Sequence, residues 1–568
     1  MTAAAPPRAT TPRPAIQVTA PSAHSASTSA SASAPAQPLA EAPPAPAPRR
    51  SNRSSQDYLS DKATAAFIRR TLCPQQSGDK SRSATAPIEE LLPPLTSRND
   101  VDLQLYALLA VILKEFVQSW YSKITPDESF VAEIVQIVAH CTRALEQRLR
   151  KVDLESLLFD EIPDLLDKHI TARRASRNAI ATPPTKVDPR EIYHSLYPLP
   201  YLSPVPKADD PESISSQHEN EAAYRGLLVQ GVLAILLPTE DLGNPCLASL
   251  VGGILSETII GNVIANKASQ PWLIWEGLSI LARNAFGRNK PHKGRGSPSH
   301  RRRRSEPSVQ PATQTSFIHG LLVSALHWVF LAYAAIRLLV TTLASASSFP
   351  PRTVGGKRHL TGEDGTASDT SANDSSLVDD GPSKVPVVDF RMWACAANLV
   401  DLRSRMPWLS GVISMIQLGL LDGPGRIADV GGVIDRSLSH ALSSLLSPSH
   451  LPPLLRNLRA ALFPNNAPGT PTLQPPANHS ELLALRRRTA TQLAGLVPPR
   501  LYALYFSGRP PWRDGERDVS QMEEILDLFG DEYCNKHLMY GILELILVRL
   551  MPELSERRVG ELMAEKLG

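Results

Sequence analysis

Residues 101–123 read VDLQLYALLAVILKEFVQSWYSK, and this stretch decides the class of fold. Its apolar side chains recur at steps of three or four residues, at Leu105, Leu109, Ile112, Phe116 and Trp120. Because an α-helix turns once in about 3.6 residues, this repeat places them in one stripe. The spacing predicts an amphipathic helix over 101–123 that packs against other elements.

The helical repeat continues along the chain. A second apolar stripe follows the turn signal Thr125-Pro126-Asp127 and predicts a helix over 127–151. A third stripe begins at Leu154 and contains Pro163, where we expect the helix to kink or a new helix to start. Further helices are predicted at 219–237, 245–265, 317–344, 387–403, 408–421, 426–446, 480–495, 519–530, 535–551 and 555–567. Strand-like alternation is almost absent, so the sequence predicts an all-α protein.

Low-complexity segments separate the helical blocks. Residues 1–55 contain no aromatic side chain and bury too little apolar surface to offset backbone ordering of about 1–2 kcal/mol per residue, so we predict disorder there rather than a targeting peptide. After it we predict a partly ordered lead-in at 56–100 and a helical domain at 101–282 that contains a Pro-rich insertion at 181–220. A basic disordered linker at 283–315, an apolar helix at 317–345 and an acidic disordered linker at 346–386 follow. The last predicted part is a helical region at 387–568 with a loop near 464–478.

Charge and cysteine content exclude several classes of protein. The 568 residues include 59 Lys and Arg against 56 Asp and Glu, a formal net charge of +3. This balance argues against a globally basic nucleic-acid-binding chain, so we expect no nucleic acid partner. The five cysteines form no C-x-x-C pair, which argues against a disulfide framework or a cysteine-based zinc site and fits a reducing, cytosolic setting.

Catalytic motifs are missing from the sequence. It contains no P-loop, no H-E-x-x-H and no G-x-S-x-G pattern. His319 and His327 could share one helix face, but no carboxylate lies nearby, and we interpret them as polar positions on an apolar helix rather than metal ligands. We therefore expect a protein that is not an enzyme, with no catalytic residue, no metal and no cofactor.

The most informative apolar run is residues 317–344. It contains no Asp, Glu or Lys, its one full charge is Arg337, and it exceeds the roughly 20 residues that span a bilayer. Three interpretations stay open: a buried core helix, a helix inserted in or lying on a membrane, and a helix that lines a lipid cavity. The candidate lipid-contact side chains on it are Leu321, Leu322, Trp328 and Phe330.

A basic run lies a dozen residues upstream of this helix. Arg301, Arg302, Arg303 and Arg304 are consecutive, and at a membrane they would meet anionic cytoplasmic lipid. The alternative is a solvated or nuclear-import-like basic run. We predict these four arginines as the candidate anionic-lipid site.

Two parts of the chain resemble known domains. The order Trp120-Tyr121, Ile124-Thr125-Pro126-Asp127, Val152-Asp153, Ile162-Pro163 and His169-Ile170 resembles the PX-associated (PXA) domain. Residues 221–281, with EAAYRGLLVQGVLAILLPTED and LVGGILSETIIGNVIANKASQPWLIWEGL, look like the second half of that domain. Residues 533–554, YCNKHLMYGILELILVRLMPEL, resemble the nexin C-terminal domain.

The resemblance to PXA-containing sorting nexins implies two all-α domains that pack together. It also implies a function on the cytoplasmic side of intracellular membranes, either at endosomes or at contacts of the endoplasmic reticulum. The partner that it implies is phospholipid or another lipid. We see no PX domain, no RGS-like domain and no membrane hairpin before residue 101, which puts head-group recognition and the anchor in doubt.

Two functional hypotheses follow. The first is a lipid-binding or lipid-transfer protein, because the helices at 226–281 and 317–344 are apolar on most sides. The second is a tether or trafficking adaptor that carries no lipid and uses its disordered segments to contact protein partners. An enclosed apolar cavity would favour the first hypothesis, and a solid core would favour the second.

Overall fold

Helices make up the regular structure of this protein. The computed structural model describes residues 57–73, 87–125, 129–177, 187–288, 384–423, 425–466, 474–507 and 519–568, and positions 326, 329, 330, 333, 334, 336, 337, 340, 341, 344, 348, 349 and 352. Within these residues there is no β-strand, so the all-α prediction is confirmed. The predicted disorder at 1–55 and most of both predicted linkers lie outside the described residues.

The helices described before residue 289 are Asp57–Leu59, Asp61–Leu72, Ile88–Leu91, Asn99–Ile112, Leu113–Gln118, Ser119–Ile124, Ser129–Leu149, Leu154–Ser156, Leu157–Glu161, Ile162–Arg177, Pro189–Leu196, Pro200–Leu202, Pro211–Leu236, Thr239–Leu242, Pro245–Gly253, Ile254–Ala268 and Pro271–Arg288. Those after residue 386 are Val387–Asp389, Arg391–Leu399, Leu402–Arg405, Pro407–Leu421, Val433–Leu445, Pro448–His450, Leu451–Leu462, Pro464–Asn466, His479–Leu496, Pro499–Tyr502, Ala503–Ser507, Ser520–Leu526, Asp527–Phe529, Glu532–Leu550, Glu553–Glu556 and Val559–Leu567.

Pro163 has the effect on its helix that the sequence predicts. It is the second residue of Ile162–Arg177, and the turn just before it, Leu157–Glu161, is a π-helix. Because proline has no N–H and its ring crowds the preceding turn, the regular hydrogen-bond ladder cannot run through this point. The helix therefore widens and restarts at Ile162.

The Pro-rich stretch 181–220 is not the linker that its composition predicts. From residue 187 onward it contains helices, and Pro189, Pro200 and Pro211 occupy the first turns of three of them. Proline suits that position because its fixed φ is helical and the first N–H of a helix has no partner to lose. Asp188 and Asp210 cap two of these helices with side-chain carboxylates, so the stretch is ordered from residue 187 onward.

The core joins the two ends of the chain. One apolar cluster combines Val229 and Leu233 of Pro211–Leu236 with Tyr533 and Tyr540 of the C-terminal helix Glu532–Leu550. A second cluster joins Trp275 to the helices between His479 and Leu526, and the Trp275 indole N–H donates to the Leu526 carbonyl at 3.0 Å. The predicted packing of the PXA-like domain against the C-terminal region is therefore present.

The start of the C-terminal helix lies deep in this core. Tyr533, Cys534, Asn535 and His537 are buried, and the Asn535 side-chain amide donates to the Ser269 and Phe529 carbonyls at 2.8 and 2.9 Å. Buried polar groups are stable only when they find such partners. The helix is thus held by directed bonds to the PXA-like half as well as by apolar burial.

Candidate membrane-contact site

The predicted lipid-contact residues fall mostly outside the described residues. Leu321, Leu322, Trp328 and the basic residues Arg301, Arg302, Arg303 and Arg304 all do, whereas Phe330 is described, helical and 68% exposed. Every other described residue from 326 to 344 is also helical and exposed. The described positions of this segment are therefore not part of the core, and the rest of 317–344 lies outside the described residues.

A second apolar helix is better described and lies in the PXA-like half. Residues Pro245–Ala268 run without interruption from an α-helical into a π-helical segment. Of the helices among the described residues, this is the one that is long and apolar enough to cross a membrane, yet only 17% of its most apolar window is buried. A core helix of this composition would be mostly buried, so this helix offers apolar surface to its surroundings.

The wide π-helical turn aligns that surface. Leu250, Ile254, Ile259 and Val263 are all exposed, at steps of four, five and four residues. In a regular α-helix a step of five residues would turn Ile259 well away from Ile254. A π-helix bonds residue i to i+5 and takes more than four residues per turn, so Ile254, Ile259 and Val263 stay on one side. We call these four side chains the apolar stripe.

The opposite side of this helix is fixed by an ion-pair network whose centre, Arg225 and Glu221, is buried and whose Glu257 is exposed. The Arg225 side chain is 3% exposed and pairs with Glu221 at 3.2 Å and with Glu257 at 3.1 Å. Gly261 allows the close approach, because a Cβ there would lie 3.1 Å from Arg225 Nε. The network therefore determines which face of the helix turns outward.

Glu221 connects the network to the C-terminal helix. It lies 3.6 Å from Lys536 Nζ, and the Tyr540 hydroxyl donates to it at 2.8 Å. Burial alone would raise the pKa of Glu221, but Lys536, Gln217, Tyr540 and Arg225 together hold that pKa below its ordinary value. The carboxylate is therefore charged and paired in the folded protein.

A cleft of about 1200 Å³ opens where the PXA-like half meets the C-terminal helix. Its lining combines apolar residues, among them Ile235, Leu236 and Leu550, with charged ones. Arg148 pairs there with Glu553 at 2.9 Å, and Arg549 pairs with Glu161 at 2.7 Å. A second cavity of about 100 Å³ is lined by arginines and acids as well as by apolar groups. Neither cavity is an apolar chamber of the kind that encloses acyl chains.

Sequence reasoning identified this helix but not its orientation or its network. The apolar character of 245–265 predicted contact with either protein or lipid. Nothing local to Glu221 or Arg225 indicates the partners Glu257, Lys536 and Tyr540, which lie up to 319 positions away. Among the described residues no group of His, Cys, Asp or Glu could hold a metal ion.

Comparison with known proteins defines the class to which this architecture belongs. The family model of the PXA domain matches residues 98–281, so the chain contains a PXA domain in these residues. Those residues include the apolar stripe, Glu221 and Arg225. The resemblance of residues 533–554 to the nexin C-terminal domain stays a prediction.

The relatives carry the identification one step further. The chain is 36% identical over 135 residues to PXA domain protein 1 of Schizosaccharomyces pombe, which covers 24% of this chain and 25% of that protein. It is 23% identical over 188 residues to human sorting nexin-13, which covers 32% of this chain and 19% of that protein. It is 34% identical over 70 residues to zebrafish (Danio rerio) sorting nexin-14, which covers 12% of this chain and 8% of that protein.

The chain thus spans a quarter or less of the length of these relatives. No solved structure matches it. The PXA domain and the similarity to sorting nexins support a function related to membrane trafficking.

Proposed function

We propose that this protein binds lipid at intracellular trafficking membranes through the apolar stripe, without a catalytic activity. The observation that carries the proposal is the Pro245–Ala268 helix, which is apolar enough to cross a bilayer and leaves the four side chains of the apolar stripe exposed. A water-exposed apolar area of this kind is stabilised by transfer into lipid at about 25 cal/mol per Å².

The mode of contact follows from the way the helix is held. Glu257 and Lys267 lie within the helix, and Arg225 binds Glu257 from the protein side. A full span would carry this ion pair into hydrocarbon, where charged groups are expensive. Shallow contact, with the apolar stripe in the interface and the ion pair against the protein, avoids that cost.

The cytoplasmic face of endosomal or endoplasmic reticulum membranes is the location that we propose, by analogy with the sorting nexins. Carriage of lipid between membranes is the further role that the resemblance implies. Because the two cavities described above are charged and open, we expect surface binding without transfer. Lipid that copurifies in native mass spectrometry, together with transfer between liposomes, would contradict this expectation.

Vesicle flotation with the full chain tests the proposal. The Ile254→Asn/Val263→Asn variant removes two exposed side chains from the apolar stripe and should weaken binding to vesicles of phosphatidylcholine and phosphatidylserine by roughly tenfold or more. The matched control is Leu483→Asn/Leu496→Asn, which changes two similarly exposed leucines on the His479–Leu496 helix and should bind normally.

The outcome also separates the proposal from the tether hypothesis. A wild-type protein that does not float with vesicles would overturn the membrane proposal and leave an adaptor that acts through protein contacts. Equal loss of binding in both variants would show that the apolar stripe has no special role.

A further inference from the structure

The Pro407–Leu421 helix exposes most of its apolar side chains, and its half-buried positions are Leu409, Ser410, Gln417, Leu420 and Leu421. Its sequence, PWLSGVISMIQLGLL, contains no charged residue, and none of its residues is buried. Trp408 is 67% and Met415 69% exposed, and Val412, Ile413, Ile416 and Leu418 are also exposed. A surface helix of a soluble domain normally shows the reverse arrangement.

One polar side chain fixes this orientation. The Gln417 amide donates to the Val388 carbonyl at 3.1 Å and to Asp389 Oδ1 at 3.3 Å. Gln417 follows Trp408 by nine residues, which is about two and a half turns, so it lies opposite Trp408. Val412 and Met415 follow Trp408 by four and seven residues and share its side of the helix. The two hydrogen bonds of Gln417 therefore turn Trp408, Val412 and Met415 outward.

The outward face fits lipid better than a protein surface. Protein interfaces carry about one hydrogen bond per 100–200 Å², and Ser414 is the one exposed hydroxyl side chain that this uncharged helix offers. A bilayer interface needs no such partners. An apolar segment of this length that is not part of a core is typical of an interfacial helix.

The two ends of the helix carry groups suited to the head-group layer. Trp408 lies in the first turn, and tryptophan prefers the boundary between hydrocarbon and water. Exposed Arg403 precedes the helix, and Arg426, 68% exposed, follows it. Asp422 and Asp429 offset part of this positive charge, so apolar burial rather than charge should dominate binding here.

We propose that the Pro407–Leu421 helix is a second membrane-contact element, which lies in the bilayer interface with Trp408, Val412 and Met415 in the acyl region. It lies outside residues 98–281, so it is separate from the matched PXA domain. The inference rests on the proposed function, because it assumes that the protein meets a membrane, and it names a surface that the apolar stripe does not include.

Oxidation of Met415 in the wild-type full chain provides a direct test. Hydrogen peroxide converts exposed methionine to its sulfoxide, and mass spectrometry follows each methionine separately. Vesicles of phosphatidylcholine and phosphatidylserine should slow oxidation of Met415 at least severalfold. Met563 is partly buried in the core cluster of Val229 and Tyr540 and serves as the internal control, whose rate should not change.

A variant separates this element from the apolar stripe. Val412→Asn/Met415→Asn should weaken vesicle binding roughly tenfold with little salt dependence, whereas Leu445→Asn, at an exposed leucine that ends the Val433–Leu445 helix, should not. Both positions are exposed, so the variant should keep the thermal unfolding midpoint of the wild type.

Three results would overturn the inference. The first is unchanged Met415 oxidation on vesicles that the wild type binds, and the second is normal binding by Val412→Asn/Met415→Asn. In either case the loss of binding in Ile254→Asn/Val263→Asn would still support the proposed function. The third is a protein partner that protects Met415 while vesicles do not, which would assign this face to protein recognition.

Discussion

The Tyr540 hydroxyl donates a hydrogen bond of 2.8 Å to Glu221 Oε1, across 319 residues of sequence. Tyr540 belongs to the C-terminal helix, and Glu221 belongs to the helix that holds the PXA-domain network. The bond therefore connects the region after residue 519 to the element that orients the apolar stripe. Substitutions in the C-terminal helix should therefore alter the orientation of the apolar stripe through this network.

Glu221→Gln should lower the free energy of unfolding by about 3 kcal/mol. The substitution removes the carboxylate that buried Arg225 shares with half-buried Lys536, and removal of one member of a buried ion pair is strongly destabilising. Tyr540→Phe removes one hydrogen bond and should cost about 1–2 kcal/mol. Urea unfolding of the full chain measures both, with exposed Glu219→Gln as the control. Wild-type stability in Glu221→Gln would show that the network is not structural.

Gly541→Ala should destabilise the protein even though alanine favours helices. A Cβ at residue 541 would lie 2.7 Å from the Tyr197 hydroxyl oxygen, so the ring or the helix must move. Overpacking of this kind costs about 1–3 kcal/mol, against a gain of about 1 kcal/mol in helix propensity. Gly226→Ala is the matched control, because nothing lies within 4 Å of its Cβ position, and it should be neutral or stabilising in the same thermal unfolding assay.

Acidification should weaken the contact between the PXA-domain half and the C-terminal helix. Burial is the main cause that lowers the pKa of His169 to about 4 and of His537 to about 3. Arg173 lowers the pKa of His169 further, and His194 and His169 do the same for His537. Asp531 acts in the opposite direction on both histidines.

The sign of the effect follows from linkage. Unfolded histidine takes up a proton near pH 6.5, whereas the folded groups stay neutral until about pH 4 and below, so the unfolded state binds more protons between these values. The stability that the neutral histidines contribute is complete above about pH 6.5 and declines as pH falls. His169 alone should remove about 2 kcal/mol between pH 7 and pH 5.

Urea unfolding at both pH values checks this prediction. His169→Gln should be less stable than the wild type at pH 7 because it loses the bond to the Tyr193 hydroxyl, but its stability should fall less on acidification. An equal fall in both proteins would contradict the assignment to His169.

Replacement of Arg301, Arg302, Arg303 and Arg304 by Gln should weaken binding to anionic vesicles and make the remaining binding less sensitive to salt. Each arginine near an anionic surface contributes on the order of 1 kcal/mol, and salt screens that contribution. The four corresponding Lys substitutions keep the charge and should bind like the wild type. Identical salt dependence in the Gln and Lys variants would assign these residues to another role.

Local periodicity predicted many of the helices but missed Asp61–Leu72 and Leu451–Leu462, and the helix predicted at 426–446 begins only at Val433. The predicted segment 408–421 is the observed Pro407–Leu421, and the apolar pattern of 245–265 lies within Pro245–Ala268. The interpretation failed at 181–220, because composition counts prolines without their positions. Pro189 and Pro211 occupy first turns, where proline supports a helix rather than ending it.

The sequence by itself determined the all-α class, many of the helical segments and which helices are too apolar for an ordinary water-exposed surface, because these properties depend on neighbours within a few residues. The tertiary structure decided which face of each apolar helix points outward. Gln417 bonded to Val388 and Asp389, and Arg225 bonded to Glu257 and Glu221, set those faces. Such contacts depend on how distant segments pack, and a repeat of three or four residues carries no information about them.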